Sequence, residues 1–169
     1  MSITIEIVAY QSVWPEVFET HARRIATALT GRVRQLEHIG STSVPGLAAK
    51  PIVDILLAVD DASDEVSYVP PLEDAGYHLR IREPEFDQHR LLKTAAGDVH
   101  LHVFPSASRE IDRCLRFRDR LRADASDRQA YEDVKRGLAS RPWPDMDAYA
   151  RAKTEIVERT LARFEAGRL

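Results

Sequence analysis

This chain of 169 residues has a single cysteine, no long apolar run and no excess of basic charge. With Cys114 as its single cysteine, the chain can form no intrachain disulfide and no thiolate cluster for zinc. We expect this thiol, which falls in an arginine-rich helical pattern, to act as a small hydrophobe and not as a nucleophile. The net charge of −3 argues against a general nucleic-acid binder, whose affinity depends on basic surface.

No apolar stretch approaches the ~20 residues that a membrane-spanning helix needs. The N-terminal segment MSITIEIVAY alternates apolar and polar side chains and lacks the charged and apolar regions of a signal peptide. We therefore expect a cytoplasmic protein without membrane partners. Three widespread motifs are missing as well: the phosphate loop G-x-x-x-x-G-K-[ST], the dinucleotide turn G-x-G-x-x-G after a strand, and the nucleophile elbow G-x-S-x-G.

The remaining composition is that of an ordinary globular protein, with 44% hydrophobic and 30% charged residues. We expect one domain, residues 1–169, that buries enough surface to fold without disulfides or a structural metal. Hydrophobic spacing predicts strands over 3–9, 33–39, 52–59, 77–81, 86–94 and 99–104, and helices over 13–30, 70–76, 109–123, 127–139 and 145–167. Strands followed by a helical C-terminal region, about 108–169, indicate an α+β fold in which helices pack on a mixed sheet.

The segment HIGSTSVPGLAAKPIVDILLAV, residues 38–59, contains the strongest functional signal. A Gly-Ser turn at Gly40 and Ser41 exposes backbone amides, which suit anionic oxygens such as those of phosphate. Asp54 then lies in an apolar run typical of a buried strand, where a carboxylate is costly unless a metal ion or hydrogen bonds compensate it. Turn and acid together predict a phosphate and metal site. The alternative is a structural acid that accepts hydrogen bonds from Ser41 or Ser43.

The segment DVHLHVF gives the second signal, because His100 and His102 lie two apart in a predicted strand and therefore share one face. Two imidazoles are good ligands for Zn, Mn, Fe or Ni and poor ligands for Mg²⁺. Beside Asp54 they would form a two-His, one-carboxylate metal site; the alternative is a solvated face of a β-hairpin. His38, next to the turn, either has a functional role, donating to a phosphate or orienting Ser41, or is a structural residue.

Cations that could neutralise a phosphorylated ligand occur in several predicted elements. The pairs Tyr131/Lys135 and Tyr149/Lys153 have the i, i+4 spacing that places both side chains on one helix face. For any one of these cations the alternative is a solvated, salt-bridged surface. The candidates for phosphate contacts are Lys50, Arg90, Lys93, Arg118, Lys135 and Lys153.

These motifs resemble the GrpB family, and the resemblance covers nearly the whole chain. It rests on Tyr10, Trp14 and Phe18, on HIGSTSVPGLAAKPIVDI, Arg90, HLHVF and FRDRL, and on the two Tyr–Lys pairs. The family is similar in turn to the nucleotidyltransferase fold, whose pattern is an apolar residue, Gly-Ser, a spacer, and then two acids separated by one apolar residue. The resemblance implies a nucleotidyltransferase-like mixed sheet packed with helices.

For the site, the resemblance implies a phosphate-binding turn made of Gly40, Ser41, Thr42 and Ser43. It also implies that Asp54 is the first metal ligand. Leu56 stands where that fold has its second acid, and His100 or His102 stands where a third carboxylate is expected on a later strand. The pattern therefore departs from standard two-Mg²⁺ transfer.

The resulting hypothesis is an enzyme that transfers a nucleotidyl or phosphoryl group from a nucleotide, or another phosphorylated small molecule, to an unidentified acceptor. Asp54, His100 and His102 would hold a divalent cation (Mg, Mn or Zn). Ser41 and Asp54 would be the catalytic residues, and the cations would offset phosphate charge. Two alternatives remain. One is a non-catalytic nucleotide-binding module, favoured by Leu56, and the other is a metal-dependent hydrolase built on the same three ligands.

Overall fold

The computed structural model describes residues 2–166, apart from the side chains at 164 and 165. Within that range the helices are α1 (Trp14–Ala28), α2 (Val69–Asp74), α3 (Arg109–Ala123), α4 (Ala125–Ala139), α5 (Met146–Ala152) and α6 (Thr154–Ala166). The strands are β1 (Gln35–Ile39), β2 (Val53–Val59), β3 (Tyr77–Glu83), β4 (His89–Thr94) and β5 (Val99–Pro105). No helix in this part of the chain is both long enough and apolar enough to cross a membrane.

The strands form one mixed sheet in the order β1-β2-β5-β4-β3. Strands β2 and β5 run parallel, whereas β1–β2, β5–β4 and β4–β3 are antiparallel pairs. The predicted α+β class with a mixed sheet is therefore confirmed. The parallel pair decides the geometry of the site, because its register sets Asp54 beside His100 and Leu56 beside His102.

Each face of the sheet packs against a different layer of helices. Side chains alternate along β2, so Ile55 and Leu57 point to the core beneath α1 and α2. Leu56 points to the opposite face, where it packs with Phe104 of β5 and Ile111 of α3. Asp54 shares this second face, and the helices that follow the sheet therefore enclose the side on which its carboxylate lies.

The helical layer is anchored to the segment that follows the Gly-Ser turn. Val44 and Leu47, both fully buried, pack with Leu121 of α3, Tyr131 of α4 and Ile156 of α6. Burying a leucine-sized side chain stabilises the fold by about 1.5–3 kcal/mol, so these contacts hold the helices firmly over the turn. As a result, side chains from α4 and α5 reach the start of β2.

Three predicted boundaries are wrong. Residues 3–9 form no strand, because their backbone pairs only as isolated bridges, Ile3 with Trp143 and Val8 with Ala49. The strand predicted over 86–94 begins at His89, after a turn in which the backbone reverses. The helix predicted over 145–167 is interrupted at Lys153, whose amide bonds to the carbonyl of Ala150 three residues back. Residue 167 lies outside the described residues.

Candidate functional site

The Gly-Ser turn passes so close to Asp54 that only glycine fits at its first position. Gly40 has φ +70° and ψ −176°, a backbone conformation that is essentially restricted to glycine. A Cβ atom at Gly40 would lie 2.6 Å from Oδ2 of Asp54. The chain then forms a short 3₁₀ turn, Ser41–Ser43, and the hydroxyl of Ser43 donates to the carbonyl of Gly40 at 2.5 Å. The turn and Asp54 are therefore separated in the sequence but in direct contact in the structure.

His38 supports this turn from the other face of the sheet. Its register partner is Ile55, so its ring lies on the α1 side, where it stacks on Phe18 with ring centroids 5.0 Å apart. Its Nε2 atom lies 2.9 Å from the hydroxyl oxygen of Thr42. Burial, together with the charge of Arg122, lowers the pKa of His38 to about 4, and the ring is therefore neutral. The contacts favour the structural alternative for His38.

Asp54, His100 and His102 form a compact group at the start of β2 and β5. Oδ1 of Asp54 lies 3.1 Å from Nε2 of His102 and 3.8 Å from Nδ1 of His100. One donor atom from each residue lies within 4.8 Å of the other two. Donors bound to zinc at about 2.1 Å are about 3.4 Å apart in a tetrahedral site, so these three side chains fit a divalent cation with small rotations.

The electrostatics of the group also suit a cation. Burial raises the pKa of Asp54, but the hydrogen bond to His102 and the positive charges around it outweigh this and leave the pKa below its usual value. Burial lowers the pKa of His100 to about 4 even though Asp54 is near, so this imidazole keeps a free lone pair at neutral pH. An ionised carboxylate and a neutral imidazole are the protonation states that metal binding requires.

Behind His102 lies a hydrogen-bonded chain that sequence reasoning missed. Nδ1 of His102 is 3.1 Å from Nε2 of His89, and Nδ1 of His89 is 2.6 Å from Oε2 of Glu83. The side chain of His89 is only 8% exposed, whereas that of Glu83 is 48% exposed. No spacing rule links these two residues to the H-x-H segment. Their pairing depends on the register of β3 with β4, which the sequence does not specify.

On the other side of Asp54 the site opens into a cavity of about 120 Å³. The chain has four lysines and 20 arginines, and three of the four lysines line this cavity. Lys153 and Lys50 place their Nζ atoms 4.7 and 5.3 Å from the ring centroid of Tyr149. Nζ of Lys135 lies 3.0 Å from the hydroxyl oxygen of Ser41 and also donates to the carbonyl of Ala48. The scarcity of lysine in this chain is a signal that could have singled these residues out.

Burial lowers the pKa of all three lysines, because each ammonium group loses part of its hydrating water. Burial and the charge of Lys153 lower the pKa of Lys50 to about 8 and that of Lys135 to about 7. Burial likewise lowers the pKa of Lys153, against the attraction of Asp54. Asp54 is the one carboxylate among the described residues that line the cavity. An anion bound in the cavity would therefore favour the charged form of these lysines and be neutralised by it.

Tyr149 adds a polar group that the protein leaves unused. The residue is 1% exposed, and among the described residues its hydroxyl has no hydrogen-bond partner. A buried hydroxyl without a partner costs about 1–3 kcal/mol. Because Tyr149 lines the cavity, a ligand oxygen there could supply the missing hydrogen bond.

Two residues predicted to contact phosphate, Arg90 and Arg118, lie outside this cavity. Arg90 pairs in register with Val103 and thus lies on the sheet face away from His102. There it donates to Glu65 at 2.6 Å and is only 5% exposed. Arg118 donates to Glu37 at 2.7 Å and lines a different cavity.

The other predicted residues lie at the site or beside it. Gly40, Ser41, Thr42 and Lys50 all line the cavity together with Asp54 and His100. Ser43 is buried and contacts the turn itself, through the carbonyl of Gly40. Lys93 lies beside His100 in the register of β4 with β5 but is not among the residues that line the cavity.

Comparison with known proteins agrees with the motifs found in the sequence. The family model described as "GrpB protein" matches residues 4–163. A UPF0157 protein of Halalkalibacterium halodurans is 51% identical over 163 residues, which cover 96% of this chain and 84% of that protein. The crystal structure of the conserved protein GrpB from Enterococcus faecalis superposes with a TM-score of 0.79 at 32% identity, covering 94% of this chain and 99% of that one.

One further relative has a name that describes an activity. A dephospho-CoA kinase of Mycolicibacterium paratuberculosis is 29% identical over 168 residues, which cover 83% of this chain and 41% of that protein. The match thus spans less than half of the kinase. Taken with the family match over residues 4–163, the comparisons establish that this chain belongs to the GrpB family.

Proposed function

We propose that this chain is a metal-dependent enzyme that transfers a nucleotidyl or phosphoryl group from a nucleotide, or another phosphorylated small molecule, to an acceptor. The observation that carries the proposal is that a group of potential metal ligands adjoins a cavity lined by lysines. The group formed by Asp54, His100 and His102 opens into the cavity that Lys50, Lys135 and Lys153 line.

The donor set supports binding of a divalent cation. Two imidazoles and one carboxylate favour Zn or Mn over Mg, which prefers oxygen ligands. A cation bound there would polarise a phosphoryl oxygen and offset the charge that develops during transfer. Leu56, at the position of a second acid, is fully buried against Phe104 and Ile111. This strand therefore supplies a single carboxylate, and the two histidines take the place of further acids.

The lysines, the turn and Tyr149 support binding of phosphate. Phosphoryl transfer depends chiefly on positioning and on neutralising negative charge, and three lysines gathered around one cavity suit both tasks. The hydroxyl of Ser41, held 3.0 Å from Nζ of Lys135, faces the same cavity and would bind a phosphate oxygen. The relative named dephospho-CoA kinase is consistent with such a reaction, although the matched segment is 41% of that protein.

A metal-dependent hydrolase is the second candidate, and the histidines favour it. Sites with imidazole ligands often activate a bound water molecule at neutral pH. In that case the lysine-lined cavity would hold the phosphorylated substrate in the same way, but water would be the acceptor. Product analysis separates the two: a transferase forms a new ester only when an acceptor is present, and a hydrolase releases product in buffer alone.

Calorimetric titration tests the binding part of the proposal directly. We expect Mn²⁺ or Zn²⁺ to bind wild-type protein and to increase its affinity for nucleoside triphosphates. Asp54→Asn should abolish metal binding, and Lys153→Met should weaken nucleotide binding by about tenfold or more, the loss of roughly one charge-assisted contact. Arg80→Met, which changes an exposed cation of β3 outside the cavity, is the matched control and should bind nucleotide as wild type does.

Two outcomes contradict the proposal in different ways. Wild-type protein that binds neither a divalent cation nor any phosphorylated ligand would overturn it altogether. Tight binding of both without product, for a broad set of acceptors and ions, would leave the non-catalytic binding module as the function of this site.

A further inference from the structure

We infer that His89 and Glu83 are positioning residues that orient His102 for metal binding. The observation is the unbroken series of hydrogen bonds from Asp54 through His102 and His89 to Glu83, with distances of 3.1, 3.1 and 2.6 Å. The inference rests on the proposed function, since it assigns a role within the same metal site. Neither residue lines the cavity, and Glu83 reaches the ligand group only through His89, which contacts His102.

His89 is held in place by its strand register, by a strained turn and by an aromatic contact. Glu83 and His89 are register partners in β3 and β4, and they form the last pair before the turn that joins these strands. Asp87 and Gln88 in that turn have φ of +48° and +56°, a left-handed conformation that costs non-glycine residues about 1 kcal/mol or more each. The ring of His89 stacks on Phe104 with centroids 4.7 Å apart and is almost fully buried.

The direction of the hydrogen bonds follows from the chemistry at the two ends of the series. If Nε2 of His102 gives its lone pair to a cation, the single ring proton of neutral His102 is on Nδ1 and points to His89. His89 then accepts at Nε2 and donates from Nδ1 to the carboxylate of Glu83. Two neutral imidazoles and one ionised carboxylate satisfy every donor and acceptor in this arrangement.

Without a cation the same series lacks one proton, because its three hydrogen bonds need three ring protons and two neutral imidazoles have only two. If Nδ1 of His102 donates to His89, the lone pair of Nε2 faces the carboxylate of Asp54 at 3.1 Å; if Nε2 donates to Asp54 instead, no ring proton remains for Glu83. Glu83 and His89 thus favour the tautomer of His102 whose lone pair points into the site. Outer partners of this kind typically change metal affinity by about 10- to 100-fold.

The test compares Zn²⁺ affinity, measured by calorimetric titration of the full chain, in Glu83→Ala and His89→Phe with that of wild type. Phenylalanine keeps the stacking on Phe104 and removes both hydrogen bonds. Glu85→Ala, which truncates an exposed glutamate in the same turn, is the matched control. We expect about 10- to 100-fold weaker binding in the first two variants and wild-type affinity in the control.

Two further measurements separate positioning from general damage to the fold. Metal-free Glu83→Ala and Glu85→Ala should both unfold in one cooperative transition, with Glu83→Ala melting a few degrees lower because it leaves the buried Nδ1 of His89 without its acceptor. The visible absorption spectrum of bound Co²⁺ should change in Glu83→Ala and stay unchanged in Glu85→Ala. Equal Zn²⁺ affinities and equal Co²⁺ spectra in Glu83→Ala, His89→Phe and wild type would overturn the inference and leave the proposed function intact. If wild type binds no divalent cation, both fail together.

Discussion

Replacing Gly40 by alanine probes the contact between the turn and the acid most sharply. At φ +70° and ψ −176° the backbone strain of a non-glycine residue is about 1–3 kcal/mol. The added Cβ atom, 2.6 Å from Oδ2 of Asp54, must also displace that carboxylate or the turn, which costs about a further 1–3 kcal/mol as for other overpacked sites. We expect Gly40→Ala to lose about 2–6 kcal/mol of unfolding free energy and to lose metal binding.

Gly46→Ala is the matched control for this change. Gly46 also has a positive φ, +79°, but no described atom lies within 4 Å of the position its Cβ would take. Urea unfolding followed by circular dichroism should therefore show the backbone strain alone, about 1–2 kcal/mol, with metal affinity unchanged. If both variants lose the same free energy and both bind Mn²⁺ as wild type does, the reasoning about the close approach of turn and acid is refuted.

Three other substitutions are expected to change the unfolding free energy in different ways. Tyr149→Phe should raise the unfolding free energy of the ligand-free protein by about 1 kcal/mol, because it removes an unpartnered buried hydroxyl, and should weaken phosphate binding; a loss of stability in thermal denaturation would contradict this. Arg90→Met should cost about 2 kcal/mol by breaking the ion pair with Glu65, yet leave nucleotide affinity in calorimetry unchanged; weaker binding would return Arg90 to the site. His38, whose pKa is lowered to about 4 by burial and by Arg122, binds fewer protons when folded, so stability is complete above about pH 6.5 and falls toward pH 4. Wild type should thus lose about 2–3 kcal/mol more than His38→Gln between pH 7 and pH 4 in urea titrations, and parallel curves would exclude this linkage.

Much of the fold is predictable because local signals and tertiary packing agree. Helix α3 begins and ends at the predicted residues, and its N-cap Ser108 accepts a hydrogen bond from the amide of Glu110. Residues 3–9 have an equally regular alternation, but they do not join the sheet and instead form isolated bridges with loop residues. Alternation reports a half-buried extended segment and does not report its partner.

The candidate site, like the fold, is predictable only in part. Period-two spacing correctly places His100 and His102 on one face, and parallel pairing of β2 with β5 brings that face to Asp54. Arg90 and His89 are neighbours in sequence, yet one lies on the far face and the other reaches His102. A shift of one residue along a strand exchanges faces, so composition alone could not tell these two side chains apart.

The central claim is that one cation and one phosphorylated ligand occupy adjoining parts of this site. Crystals grown with Mn²⁺ and a non-hydrolysable nucleoside triphosphate, measured at the manganese absorption edge, test it most directly. The account predicts an anomalous peak about 2.2 Å from donor atoms of Asp54, His100 and His102, with phosphate density against the cavity lysines. A peak elsewhere, or phosphate density away from Lys50 and Lys153, would contradict it.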